Sequence, residues 1–266
     1  MHQALSLPRN SVHIWLLDPS TITDSALLDT YHQLLTPDEQ ERWVRYRFDK
    51  DKHQHLVTRA LLRHTLSLYV PEVAPAGWRF VNNDYGKPSI ANAVALPLQF
   101  NLSHTLNRVA LAVTLEREIG VDVERIKPLD QVRGLAERCF TEEENHYIFG
   151  GDMRSHLTGD IQDVLWRFFK LWTLKEAYIK ACGRGMSISL QSLSFDPQAA
   201  PLRLCFTDGY EDDSERWSFR VWQPGPQHLL SLAVSQPQSE PLDVGFYQAV
   251  PLRDFTPISM AEVIAR

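Results

Sequence analysis

The stretch Leu165–Gly185, LWRFFKLWTLKEAYIKACGRG, decides how the rest of the chain is read. Trp166, Phe169, Trp172, Leu174 and Ala177 recur at helical spacings, so the stretch reads as one long helix. Gly183 and Gly185 stop it, because glycine accepts the left-handed cap conformation cheaply. Trp172, Glu176 and Lys180 stand four residues apart and line one face. The acid and the base on that face have two readings. One is a surface ion pair at i,i+4 spacing. The other is a metal-binding carboxylate beside a phosphate-binding ammonium.

A second stretch, Ile119–Ile126 (IGVDVERI), bears on that choice. Val121, Val123 and Ile126 suggest a short strand opened by Gly120. Asp122 and Glu124 are two residues apart, so on a strand their carboxylates face the same side. They form either a solvent-facing edge or a hard-cation site, since charges on a buried strand need neutralising.

The first half is rich in cations. Thr36-Pro37-Asp38-Glu39 starts a helix with an N-cap, a first-turn proline and a capping-box acid. The helix after it, about Asp51–Tyr69, buries Leu56, Val57, Ala60, Leu61 and Leu68. Lys52, Arg59 and Arg63 fall in a stripe beside that face. With Lys50 they are either a solvated flank or contacts for a polyanion. Val81–Ile90 (VNNDYGKPSI) is turn-rich and holds Lys87 between Gly86 and Pro88. Phe100–Thr105 (FNLSHT) places Ser103 and His104 at the mouth of a strand. They suit a polar pocket for a phosphate or base better than a nucleophile elbow, and a structural His remains the plainer reading.

Phe140–Glu144 (FTEEE) supplies a second capping box, and Asn145–Asp163 suggests a mobile loop before the long helix. Strand-like runs follow at Ser187–Phe195, Leu202–Phe206, Trp217–Trp222 and Leu229–Val234. Each half thus runs from a capped helix to a longer helix, a turn-rich stretch and strands. The expected fold is α+β, two similar α/β halves packed as a pseudo-dimer within one chain. The halves are expected at 1–117 and 118–235, with 236–266 as a tail over the surface.

Composition sets bounds on the chemistry. The 266 residues are 44% apolar, enough for a sizeable core, and the formal charge of −6 argues against a general nucleic-acid binder. Three cysteines without CxxC spacing suggest thiols in a reducing compartment. No run suits a membrane span, and the N-terminus lacks the pattern of a signal peptide, so a cytoplasmic protein is expected. Walker and GxGxxG loops are absent. Three carboxylates, a lysine one turn on and several cations suit a Mg²⁺-dependent transfer involving a pyrophosphate.

YGKP, FNLSH, GVDVE and LWTLKEAYIKACGRG, in that order, resemble the 4′-phosphopantetheinyl transferase superfamily, in its Sfp-type branch. The resemblance runs from about Thr36 to Leu190. It implies transfer of the phosphopantetheine arm of coenzyme A to a serine of an apo acyl or peptidyl carrier protein, with release of 3′,5′-ADP. It also implies Mg²⁺ on Asp122, Glu124 and Glu176, and catalysis by Asp122, Glu176 and Lys180. Glu176, directly or through a metal-bound water, would accept the serine proton, and Lys180 would balance phosphate charge. Coenzyme A would meet Lys50, Arg63, Lys87, Pro88, Ser103 and His104 together with Asp122, Glu176 and Lys180. The chain departs from close relatives in carrying Glu39 where basic residues are common. Carrier contacts are expected within Lys127–Trp166, with Arg133, Arg138 and Phe140 as candidates, and the family form suggests a monomer. The rivals are a Mg²⁺-dependent coenzyme A hydrolase and a non-catalytic sensor of coenzyme A or a carrier.

Overall fold

The computed structural model of the chain describes residues 4–150, 160–207 and 209–263. It begins with strand β1 (Ser11–Leu17), followed by helices α1 (Ser25–Gln33), α2 (Pro37–Arg45) and α3 (Asp49–Tyr69). The short strands β2 (Phe80–Asn82) and β3 (Pro88–Ile90) pair as a hairpin ahead of β4 (Leu98–Thr105) and β5 (Arg108–Leu115). Next come β6 (Ile119–Arg125), α4 (Val132–Cys139), α5 (Glu142–Phe149) and α6 (Ile161–Cys182). The strands β7 (Leu193–Asp196), β8 (Arg203–Phe206), β9 (Ser218–Trp222), β10 (His228–Val234), β11 (Asp243–Val250) and β12 (Asp254–Ile258) complete the chain.

The α+β expectation holds, and the chain divides into two compact units. The first comprises Met1–Asn83, Pro88–Glu116 and Leu242–Ser259; the second comprises Asp84–Lys87, Arg117–Pro241 and Met260–Arg266. Both anticipated capping boxes form. Thr36 and Thr141 each accept from the backbone N–H three residues on, and Glu39 and Glu144 reach back to the cap.

In the first unit the strand order is β12-β11-β1-β5-β4, with β1 and β11 parallel and the other pairs antiparallel. α3 buries Leu56, Val57, Ala60 and Leu61 in one core with Trp15, Phe100, Leu111 and Val113 of the sheet. The C-terminal stretch is therefore not a surface tail. β11 extends the sheet beside β1, Tyr247 stacks on Trp15 at 4.5 Å, and the Tyr31 hydroxyl donates to the Pro251 carbonyl at 2.7 Å. Its strand pattern is weak because Gly245 interrupts it. The His13 ring lies over that glycine, where a Cβ would meet it at 3.3 Å.

His13 and Tyr69 join through a 2.8 Å hydrogen bond, and burial pushes His13 down to about 4 against a partial upward pull from Asp243. Because its pKa in the fold lies below the ordinary 6.5, neutral His13 contributes stability that is complete above 6.5. That contribution is lost as the pH falls toward 4. Half-buried His55 shifts in the same direction and to the same value, again chiefly through burial. Melting temperature should therefore fall between pH 7 and pH 5, less steeply in a His13→Gln, His55→Gln double variant. An equal slope in that variant would assign the acid sensitivity elsewhere.

In the second unit α6 lies on an antiparallel sheet of order β6-β10-β9, around a core of Phe168, Leu171, Leu174, Tyr178, Trp217 and Phe219. α6 starts at Ile161, earlier than its apolar periodicity suggests, with Asp160 as N-cap, and stops at Gly183, whose φ is +65°. The loop expected within Asn145–Asp163 is partly a helix, since α5 continues to Phe149; the stretch 151–159 lies outside the described residues. Ser187–Phe195 is a strand only from Leu193. Two short 3₁₀ turns, Gly185–Ser187 and Leu190–Ser192, precede it, and the Leu190 carbonyl turns inward to the Lys175 ammonium at 2.8 Å. No described helix is long and apolar enough to cross a membrane.

Candidate active site

The seam between β6 and α6 is made of small residues. Ala233 and Ser231 of β10 pair with Gly120 and Asp122 of β6, while α6 presents Thr173, Ala177 and Ala181. The Ser231 and Thr173 hydroxyls are 2.8 Å apart. At Gly120 the two backbones nearly touch. A Cβ there would fall 1.9 Å from the Ala177 carbonyl oxygen and 2.4 Å from the Ala181 nitrogen. These are backbone atoms and cannot swing aside, so any side chain must push the strand off the helix. Gly120→Ala should cost about 1–3 kcal/mol in thermal unfolding and lower activity beyond that loss. Wild-type melting and turnover would show that the seam has slack.

This seam sets the chemistry of the next residues. Gly120, Asp122 and Glu124 project to one side of β6, toward α6. Asp122 is buried, and its Oδ1 accepts from the Lys180 ammonium at 2.6 Å. Lys180 also donates to the Val121 carbonyl at 3.4 Å. The buried Asp122 excludes the solvent-edge reading. Lys180 reaches across to the strand, so it does more than form an ion pair along the helix. From Leu171 to Lys180, only Trp172, Glu176 and Lys180 are partly exposed; the others are buried. Burial raises the pKa of Glu176, and the charges of Asp122 and Glu124 raise it further against the opposing pull of Lys180. The three acids therefore share one electrostatic field. Such a site can hold a proton, or bind a cation or a phosphate that responds to that field.

α6 is held in this position from behind. Lys175, fully buried, donates to Glu144 Oε2 at 2.5 Å and to the carbonyls of Cys139 and Leu190. Glu144 Oε1 accepts from the Phe195 N–H at 2.9 Å. Nothing in the sequence marks this pair except the capping-box position of Glu144, which reads as a local cap.

Two family models match the chain. The model described as 4′-phosphopantetheinyl transferase superfamily matches residues 118–233, and that described as 4′-phosphopantetheinyl transferase, N-terminal, matches residues 23–116. A phosphopantetheinyl transferase of Thraustochytrium sp. is 33% identical over 205 residues, covering 75% of this chain and 70% of that protein. The chain belongs to the 4′-phosphopantetheinyl transferase superfamily. The 4′-phosphopantetheinyl transferase HetI of Nostoc sp. is 34% identical over 184 residues, 69% of this chain and 73% of HetI. The 4′-phosphopantetheinyl transferase Sfp of Bacillus subtilis is 29% identical over 167 residues, 62% of this chain and 68% of Sfp. As a member of this superfamily the chain is a transferase.

The other residues implied by the superfamily resemblance fall out differently. Lys50 is exposed, with its ammonium 5.7 Å above the Phe48 ring, and Pro88 opens β3 opposite Asn82. Arg63 is a correction. Its guanidinium is fully buried, donates to the Pro75 and Trp78 carbonyls and pairs with Glu39 at 2.8 Å, so it braces α3 and does not face a ligand. Glu39 also binds Arg59, so this acid holds two arginines of α3. Ser103 and His104 are neighbours on β4 and point to opposite faces, Ser103 buried and His104 exposed, so one pocket does not take both. Phe140 is core, packed edge-on against Phe168 at 5.1 Å, and is withdrawn as a carrier contact. The Arg138 guanidinium donates to the Gly134 carbonyl on its own helix, and Arg133 lies over the Phe149 ring.

Among the described residues no three His, Cys, Asp or Glu side chains are gathered into a metal-binding cluster. The donor chemistry nevertheless suits a hard cation. Asp122, Glu124 and Glu176 offer only oxygen, and the ionised form of Glu176, disfavoured first by burial and then by the charges of Asp122 and Glu124, is what a divalent ion would stabilise.

Proposed function

We propose that the chain transfers the 4′-phosphopantetheine arm of coenzyme A to a serine of an apo acyl or peptidyl carrier protein. The observation that carries this reading is the Asp122–Lys180 pair at 2.6 Å beside Glu176, whose pKa is raised. Glu176 accepts the serine proton; its raised pKa makes it a better base than an exposed carboxylate. The serine oxygen forms a bond to the phosphorus that carries pantetheine, and the bond from that phosphorus to the bridging oxygen breaks. The electron pair leaves on 3′,5′-ADP. Lys180 balances the charge that builds on the phosphate oxygens. Asp122, Glu124 and Glu176 are the residues that would hold Mg²⁺, which when bound neutralises pyrophosphate charge. Lys50, Pro88 and exposed His104 are assigned to the nucleotide end of coenzyme A. Arg133 and Arg138 are assigned to an acidic carrier. The protein acts as a cytoplasmic monomer.

Intact-protein mass spectrometry tests this directly. Apo carriers incubated with the protein, coenzyme A and Mg²⁺ should gain one phosphopantetheine arm, and chelator should abolish the gain. Cleavage of coenzyme A with no gain on any carrier would replace the reading with a hydrolase. Binding of coenzyme A without Mg²⁺ dependence or turnover would replace it with a sensor.

A further inference from the structure

We propose that Lys87 is a positioning residue whose ammonium staples the strand carrying Asp122 to the end of the helix carrying Glu176 and Lys180. Asp84–Lys87 belongs to the second unit, and Gly86 turns the chain there with a φ of +86°, a conformation that favours glycine. The half-buried Lys87 donates to the Ile119 carbonyl at 3.2 Å and to the Ala181 carbonyl at 2.7 Å. These two carbonyls lie on the two sides of the seam. Ile119 precedes Gly120, and Ala181 follows Lys180. Ala181 is also the residue whose nitrogen comes within 2.4 Å of the Cβ that Gly120 lacks. The Ala181 carbonyl is in the last turn of α6, where helix carbonyls lack intrahelical partners and the dipole favours a cation. Gly120 lets strand and helix approach, and Lys87 ties them at the point of approach. An ammonium committed to both backbones acts on coenzyme A through Asp122, Glu176 and Lys180, which it keeps in register.

This inference rests on the transfer reading, and its test separates the two. The full chain is compared with Lys87→Met and with Lys87→Gln, whose amide keeps a donor if the first variant folds poorly. Coenzyme A affinity is read by calorimetry, turnover by carrier mass gain, and local opening by amide hydrogen exchange. Lys87→Met should leave coenzyme A affinity within about twofold and lower kcat by about tenfold to a hundredfold. Exchange should quicken across residues 119–123 and 179–183 while the β1 and β5 amides keep wild-type exchange. Lys87→Gln should fall between. Exchange unchanged at both segments overturns the staple whatever happens to turnover. So does an affinity loss beyond about tenfold with kcat intact, which makes Lys87 a ligand. Should the wild-type chain modify no carrier, the transfer reading falls, and the exchange result alone still decides the staple.

Discussion

Lys175→Met is expected to cost about 3–5 kcal/mol of stability, because it strands a carboxylate that has no route to water. Both side chains of the Lys175–Glu144 pair are fully buried. The ammonium serves three oxygens: Glu144, the Cys139 carbonyl at the end of α4 and the Leu190 carbonyl in the turn before β7. Burial lowers the Lys175 pKa and Glu144 opposes that shift, as expected of an ion pair held away from solvent. Glu144 meanwhile caps α5 at Thr141 and accepts from the Phe195 N–H, so its charge is also part of the backbone bonding of β7. Methionine fills the space of the stem but leaves the Glu144 charge without a counter-ion and the Cys139 and Leu190 carbonyls without this donor. Thermal or urea unfolding of the variant would show the loss. A change under about 1 kcal/mol would mean that water reaches the site. Glu144→Gln should also destabilise the fold, since it leaves the buried Lys175 charge without a counter-ion and turns an amide N–H toward donors that now meet a carboxylate oxygen.

Its neighbour in the chain should behave in the opposite way. Glu176→Gln is expected to lower transfer by about 10²–10⁴-fold, the usual range for removing a general base, while stability holds or rises. The side chain is half-exposed, and its ionised form is disfavoured first by burial and then by Asp122 and Glu124. Its pKa in the fold lies above the ordinary carboxylate value. Ionised Glu176 therefore weakens the fold as pH rises through that range, and a neutral amide removes the penalty. Carrier mass gain and a melting curve at pH 7 measure both effects. Wild-type transfer in this variant would end the assignment of Glu176 as the proton acceptor. A large fall in melting temperature would make it a structural group instead. Under the proposed transfer, Lys175 holds the fold while the adjacent Glu176 serves the reaction at a cost in stability.

Much of this arrangement was legible in the sequence, because much of it is local. Capping boxes at Thr36 and Thr141, the glycine stop at Gly183 and the 172-176-180 face depend on residues within a turn of one another. The same-side placement of Asp122 and Glu124 follows from strand pleat alone. What was hidden depends on partners far along the chain. No periodicity pairs β1 with β11, or aims Lys175 at Glu144, or shows that Arg63 spends its charge on Glu39. The family pattern misled at Arg63 because a buried cation and a ligand-facing cation look alike in sequence. It misled at Phe140 because a core aromatic and a surface one do too.

The row Trp172, Glu176, Lys180 also has a polarity. Four residues of α-helix advance about 6 Å, so an aromatic ring, a carboxylate and an ammonium follow one another at even intervals along a stripe that winds slowly round the helix. The residues between them are buried, and the row is the only part of this stretch open to another molecule. A molecule lying along α6 therefore meets apolar, acidic and basic groups in one fixed order. Turned end for end, it would meet them reversed. The helix distinguishes head from tail before any chemistry begins.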